Sequence, residues 1–157
     1  MDALVALALS IGVLIAGWTY VALGPGALPV WAGIIAWGCF FAAGGKTEGL
    51  MKTIASNLSG VLWAFLALTA WNSFGGGLPV LSVLVGIAAI GMVMQAKIRT
   101  LAFIPGAFLG AATTVSVVVG ANGTYIKTMI ALVVGAVLGY LSETLAGALT
   151  GSKRASA

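Results

Sequence analysis

Few residues in this sequence carry side chains that could take part in catalysis or bind a metal ion. The chain has no histidine and a single cysteine, Cys39, and Glu143 is the only acidic residue well inside an apolar stretch. Metal sites and nucleophilic catalysis need several such groups close together, and no phosphate-binding glycine motif is present either. We therefore expect neither an enzyme nor a bound cofactor or metal.

Uncharged polar side chains and mid-helix tryptophans are the remaining candidates for function. Asn57, Ser59 and Thr113 offer donors and acceptors that could replace the water around a small solute. Trp37 and Trp63 could narrow the path of such a solute. Each residue also has a structural explanation, because polar groups bond neighbouring helices in membranes, tryptophans fill space, and hydroxyls bond back to their own helix.

Glu143 likewise has two explanations, since it lies near the end of the last apolar stretch. Its carboxylate could reach the interface or pair with Lys52 or Arg99, which would be a structural role. Alternatively, it could gate a path or couple transport to protons.

The composition excludes a soluble protein. Hydrophobic residues make up 61% of the chain, charged residues 6%, and the mean hydropathy is +1.17, whereas soluble domains carry about 25% charged residues. We predict a multi-pass protein of a bacterial-type inner membrane, with the lipid bilayer as its main partner. The net charge of +4 is better explained by loop charges that orient helices than by binding to nucleic acid.

Glycine, proline and charge clusters divide the apolar sequence into an all-α bundle of six transmembrane helices. We predict them at about 3–23, 28–44, 50–72, 78–95, 101–119 and 125–148, in one domain over residues 1–150 followed by a cytoplasmic tail at 151–157. Pro105 would lie about one turn inside helix five, where it could cause a kink.

The loop charges predict the orientation of these helices. On the six-helix arrangement one side carries six basic residues (Lys46, Lys52, Lys97, Arg99, Lys153 and Arg154), and the other carries only Lys127. The positive-inside rule then places both termini in the cytoplasm. Aromatic residues near the outer helix ends, Trp18 and Trp71 among them, fit an interfacial belt on the opposite side.

An internal repeat is the most informative pattern in the sequence. Residues 52–66 (KTIASNLSGVLWAFL) align without a gap with residues 127–141 (KTMIALVVGAVLGYL), at a constant offset of 75. Each half would then contain three helices, so the second half would enter the membrane upside down. Such 3+3 inverted repeats are typical of transporters and channels; chance similarity between two glycine- and alanine-rich helices is the alternative.

Small residues follow one face of several helices, and they allow close helix crossings, either within one subunit or between subunits of a homo-oligomer. In helix three, Thr53, Ser56, Asn57 and Gly60 share such a face. The glycines that we assign to helix packing are Gly60, Gly106, Gly110, Gly135 and Gly139.

The segment from Trp37 to Phe65, WGCFFAAGGKTEGLMKTIASNLSGVLWAF, resembles a bacterial inner-membrane family catalogued as domain of unknown function 1097. The Phe-Phe-Ala-Ala-Gly-Gly turn, followed by Asn57, Gly60 and Trp63-Ala64, carries this resemblance. It implies a small multi-pass inner-membrane protein and no particular activity.

These observations favour a channel or facilitator for a small polar, neutral solute of the urea, amide or ammonia class, because few charges are present to select or drive an ion. An ion- or proton-coupled transporter that uses Glu143 is one alternative. A structural or accessory membrane subunit that transports nothing is the other.

Overall fold

The computed structural model describes residues 1–151 and contains six α-helices in this range. They are α1 (Ala3–Leu23), α2 (Val30–Ala42), α3 (Lys46–Ser73), α4 (Leu78–Met94), α5 (Ile104–Val115) and α6 (Tyr125–Leu149). Two 3₁₀ turns, Gln95–Lys97 and Arg99–Leu101, connect α4 to α5, and a π-helical segment, Ser116–Gly120, continues α5. The predicted number of helices is therefore confirmed, and the predicted tail beyond Gly151 lies outside the described residues.

The connection between α2 and α3 is tighter than predicted, because α3 begins at Lys46 rather than near residue 50. Gly44 and Gly45 adopt positive φ angles of 101° and 66°, which glycine reaches without a steric penalty. Lys46 follows with φ 56°. These three residues reverse the chain at once, so no extended loop separates the two helices.

The predicted position of Pro105, about one turn inside helix five where a kink was possible, is wrong. Arg99–Leu101 form a separate 3₁₀ turn, and α5 begins only at Ile104. Pro105 therefore lies in the first turn of its helix, where a missing N–H removes no hydrogen bond.

The helices differ in length in a regular way. Four of them are long and apolar enough to cross a membrane: α1, α3, α6, and α4 with its 3₁₀ extension. The other two, α2 and α5, are shorter; the 13 residues of α2 extend for only about 20 Å, against a hydrocarbon thickness of about 30 Å. The middle helix of each half of the chain is thus the short one.

Close backbone contacts hold the bundle together, with α3 packed mainly on α5 and α6 mainly on α2. A Cβ on Gly60 would overlap the carbonyl oxygen of Ala107, and a Cβ on Gly135 would overlap that of Gly33. The two central helices, α3 and α6, also contact each other, whereas α1 and α4 lie at the periphery. Large apolar side chains cover much of the exterior, as lipid requires.

We call the end of the bundle that carries Ala3, the α2–α3 connection and the end of α6 the near face. The opposite end, with the α1–α2 and α5–α6 connections, is the far face. Trp18, which we assigned to an interfacial belt near this far end, is instead buried, and its ring packs directly on Gly33.

Candidate functional site

A row of buried polar side chains lies on the inner face of α3. Ser56 and Asn57 follow Thr53 by three and four residues, so all three side chains lie on the same side of the helix. They are 0%, 0% and 1% exposed. The hydroxyls of Thr53 and Ser56 and both polar atoms of the Asn57 amide have no hydrogen-bond partner among the described residues.

Helix α5 packs directly against this face and adds a fourth polar residue. Gly106 lies against the Cβ of Ser56, and Gly110 lies against the backbone of Asn57. Thr113 follows Gly110 by one turn on the same face of α5; it is 3% exposed, and its hydroxyl also lacks a partner in the described chain. The neighbouring hydroxyl of Thr114 bonds back to its own helix, which is the structural explanation that we gave for the hydroxyls of this stretch, and Thr113 forms no such bond.

We call Thr53, Ser56, Asn57 and Thr113 the orphan cluster. An unpaired polar group costs about 1–3 kcal/mol when it is buried in a protein, so a native structure rarely contains several of them together. The thiol of Cys39 on α2 lies close enough to the Asn57 amide for a weak sulfur hydrogen bond, although the contact does not meet the full distance and angle criteria of one. Three helices, α2, α3 and α5, therefore meet at Asn57.

A cavity opens to the near face of the bundle. It has a volume of ≈ 310 Å³ and lies between the start of α3 and the α4–α5 connection, with Glu48, Lys52 and Arg99 in its wall. Lys52 forms an ion pair of 2.8 Å with Glu48. Thr53, the first residue of the orphan cluster, follows Lys52 directly in α3. We call this cavity the near mouth.

A second cavity of ≈ 260 Å³ opens to the far face, between the α1–α2 and α5–α6 connections. Val117, Asn122 and Lys127 line it. Val117 belongs to the π-helical segment, is 2% exposed, and lies one turn beyond Thr113. Since π-helical segments often occur at functional sites, this far mouth and the orphan cluster are the natural candidates for a functional region.

Glu143 lies at the near face, and its carboxylate accepts a hydrogen bond of 2.7 Å from the backbone N–H of Lys46. Gly45 packs tightly on the same carboxylate. Of the structural roles that we considered for Glu143, pairing with Lys52 does not occur, because Lys52 pairs with Glu48 instead. The carboxylate thus caps the first turn of α3, where the positive end of the helix dipole favours a negative charge.

Trp63 and Ser59 belong to a polar network that connects α3 to the end of α4. The indole N–H of Trp63 donates to Gln95 Oε1 (3.0 Å), and Gln95 Nε2 donates to the Ser59 hydroxyl (2.8 Å). Ser59 in turn donates to the carbonyl of Ser56 (2.7 Å). Sequence reasoning missed Gln95, although an amide at the end of an apolar helix was a signal for it.

Trp37 belongs to a second network, which connects α2, α6 and α1. Its indole N–H donates to the Ser142 hydroxyl (3.1 Å), and Ser142 donates to the carbonyl of Gly139 (2.7 Å). The hydroxyl of Ser10 donates to the carbonyl of Ser142 (2.9 Å). In both networks, unlike in the orphan cluster, the polar side-chain atoms are paired.

Residues 1–151 contain no group of three or more His, Cys, Asp or Glu side chains that could hold a metal ion. They do form an apolar groove of ≈ 500 Å³ on one side of the bundle, between α3, α4 and α5. Trp63, Met92 and Phe108 are among its walls. The groove contains almost no polar surface and therefore offers little to a polar solute.

Comparisons with known proteins identify the family. The inner membrane protein YcdZ of Escherichia coli (strain K12) is 34% identical over 142 residues, which cover 89% of this chain and 83% of the relative. YcdZ of Salmonella typhimurium is 35% identical over 144 residues, which cover 89% of this chain and 85% of the relative. The uncharacterized protein YahC of E. coli is 33% identical over 153 residues, which cover 91% and 90% of the two chains.

No solved structure matches the chain. Inner-membrane relatives and long apolar helices together support a multi-pass protein of the inner membrane. A family model described as "protein of unknown function (DUF1097)" matches residues 8–147. The family suggested by the segment from Trp37 to Phe65 is therefore confirmed, and the chain belongs to the DUF1097 family of membrane proteins.

Proposed function

We propose that this protein is a channel or facilitator through which a small polar, neutral solute of the urea, amide or ammonia class crosses the membrane. The observation that carries the proposal is the orphan cluster, whose unpaired donors and acceptors lie between the two mouths. Polar groups of this kind can replace the hydration shell of a solute in the membrane interior.

The order of the cluster residues along the helices agrees with a path through the bundle. Thr53 follows Lys52 of the near mouth in sequence, and Thr113 lies one turn before Val117 of the far mouth. The contact of Gly110 with the backbone of Asn57 places Thr113, three residues later in α5, about 4–5 Å farther along the bundle than Asn57, at about 1.5 Å per residue. Unpaired polar atoms thus extend for roughly 10 Å from Thr53 to Thr113.

The chemistry of the cluster favours a neutral solute that moves passively. Its four residues carry hydroxyl and amide groups and no formal charge. Glu143, the residue on which a proton-coupled mechanism would depend, bonds the backbone of Lys46 at the near face. The coupled transporter and the accessory subunit remain alternative predictions.

A 3+3 inverted repeat belongs to the same proposal, and three features of the packing support it. Gly60 and Gly135 are 75 residues apart, and each meets a carbonyl of the short helix in the other half, at Ala107 and Gly33. The same offset relates Lys52 of the near mouth to Lys127 of the far mouth. Finally, the short helices α2 and α5 occupy corresponding positions in the two halves, a pattern that points to the binding site of repeat transporters.

We further propose that the near face is cytoplasmic, so that the N-terminus and the end of α6 lie inside the cell. The helix order brings Lys46, Lys52, Lys97 and Arg99 to this face, and Lys127 lies at the far mouth. Two of the predicted inside charges, at positions 153 and 154, lie outside the described residues. The homo-oligomer remains a prediction as well.

Stopped-flow light scattering on liposomes that contain the purified protein tests the transport proposal. After a hyperosmotic shock with a permeant solute, vesicles shrink and then reswell as the solute enters. We expect faster reswelling than in empty liposomes for at least one of urea, acetamide or ammonia, and equal rates for sucrose. Rates equal to those of empty liposomes for the whole panel would contradict the proposal.

A further inference from the structure

The Asn57 amide differs from the other members of the orphan cluster in its geometry. A hydroxyl can rotate to donate or to accept, whereas an amide holds a carbonyl acceptor and an N–H donor side by side in one plane. Both Asn57 atoms lack partners in the described chain, and the side chain is 1% exposed. The site therefore presents one fixed acceptor beside one fixed donor.

We propose, on the basis of the channel function above, that Asn57 is the binding site for a solute with an unsubstituted amide group, such as a primary amide or urea. A group of this kind carries its own carbonyl oxygen and N–H on one edge. It pairs with the Asn57 amide through two parallel hydrogen bonds, as one amide pairs with another. Donor meets acceptor at both positions, so neither polar atom of Asn57 remains unpaired.

The hydroxyls of the other cluster residues can complete the hydrogen bonding of a solute that is paired with Asn57. Thr53 and Ser56 lie on the same face of α3, within one turn of Asn57, and Thr113 lies on the facing helix. Their hydroxyls can adapt to the second N–H bonds and the second carbonyl lone pair of the solute. The hydroxyls at the two ends of the cluster would receive the solute before and after it pairs with Asn57.

Other small neutral solutes match the amide less well. The single nitrogen of ammonia cannot align with both atoms of the Asn57 amide at once, and bent hydrogen bonds are weak. A glycol presents two hydroxyls, but it must give up internal rotations to place both of them in the plane of the amide. A fully N-methylated urea has no N–H to donate to the Asn57 carbonyl.

The test measures reswelling of proteoliposomes in urea and acetamide on one hand and in ethylene glycol and glycerol on the other. We expect the wild-type protein to accelerate the entry of urea and acetamide more than the entry of the two glycols. Asn57→Leu replaces the amide by an apolar group of similar branched shape, and it should lower the protein-dependent amide permeability about tenfold or more, because a polar site discriminates strongly by its hydrogen bonds. Asn72→Leu, on the exposed end of α3, is the matched control and should behave as wild type.

A competition experiment on the wild-type protein needs no variant. Uptake of labelled urea should be inhibited by formamide and unaffected by tetramethylurea. Any one of three results would overturn the amide site while leaving the channel function in place. These are equal acceleration of amide and glycol entry, unchanged amide flux in folded Asn57→Leu, and equal inhibition by both competitors. Absence of any protein-dependent flux would overturn both.

Discussion

Replacement of Asn57 by leucine should make the protein more stable, which is unusual for a buried substitution. The Asn57 side chain is 1% exposed, and its two polar atoms have no partner among the described residues. A buried unpaired group costs about 1–3 kcal/mol, although hydrogen bonds measured in membrane proteins average only about 0.6 kcal/mol because the unfolded state in the membrane also finds partners. We therefore expect Asn57→Leu to raise the free energy of unfolding by about 1–2 kcal/mol.

For a chain of this length, 1 kcal/mol corresponds to a shift in Tm of about 2–4 °C. The measurement is thermal unfolding of purified protein in detergent, followed by circular dichroism, with Asn72→Leu as the control for an exposed asparagine. Leucine could overpack the site, so Thr113→Val provides a second case in which a hydroxyl is replaced by a methyl of similar size. A lower Tm in both Asn57→Leu and Thr113→Val would refute the reasoning, because it would show that these polar groups stabilise the closed bundle.

Three further substitutions test the packing and the polar contacts. Gly60→Val should lower the free energy of unfolding by about 3 kcal/mol or more, because a Cβ at this position overlaps the α5 backbone. Gly86→Val is the control, because a Cβ on Gly86 meets no neighbour within 4 Å. This control should elute with the wild type in size-exclusion chromatography. Glu143→Gln should lower the free energy of unfolding by about 1 kcal/mol or less, because the negative charge at the start of α3 is lost. Its solute flux should equal that of the wild type around neutral pH. A folded variant without flux would favour the proton-coupled transporter. Gln95→Leu should lower the free energy of unfolding by about 1–3 kcal/mol and shift the tryptophan fluorescence emission. A double-mutant cycle with Trp63→Phe should show that the two side chains are coupled. Additive effects of the two substitutions on stability would contradict the hydrogen bond between them.

The sequence predicted the helices well because their signals are local. Apolar runs and glycine or proline breaks placed most helix ends within a few residues of those in the structure. Helix α5 begins three residues later than predicted because hydropathy alone does not distinguish the 3₁₀ turn at Arg99–Leu101 from the first turn of the helix. The burial of Trp18 was also missed, since it depends on Gly33 of the next helix, and sequence spacing does not indicate which helices pack together.

The candidate site was only partly predictable, for a related physical reason. Asn57 and Thr113 were recognisable as polar residues in apolar helices, but nothing local distinguishes a paired polar group from an unpaired one. Ser59 and Trp63 looked equivalent to Asn57 until the structure placed Gln95 between them. The partner of Glu143 is a backbone N–H, which every residue except proline carries and which therefore leaves no signal in the sequence.

The contrast between paired and unpaired groups is the strongest argument that Asn57 does more than hold helices together. A structural asparagine in a membrane helix is expected to bond a neighbouring helix, and this bundle makes such bonds elsewhere, through Gln95 to Trp63 and through Ser142 to Trp37. At Asn57 the adjacent helix instead presents Gly110, which brings the backbones together and offers the amide no partner. An apolar residue would leave no unpaired group at this position, as Leu132 does at the corresponding position of the proposed repeat, and the amide at Asn57 therefore agrees with the proposed ligand that pairs with it.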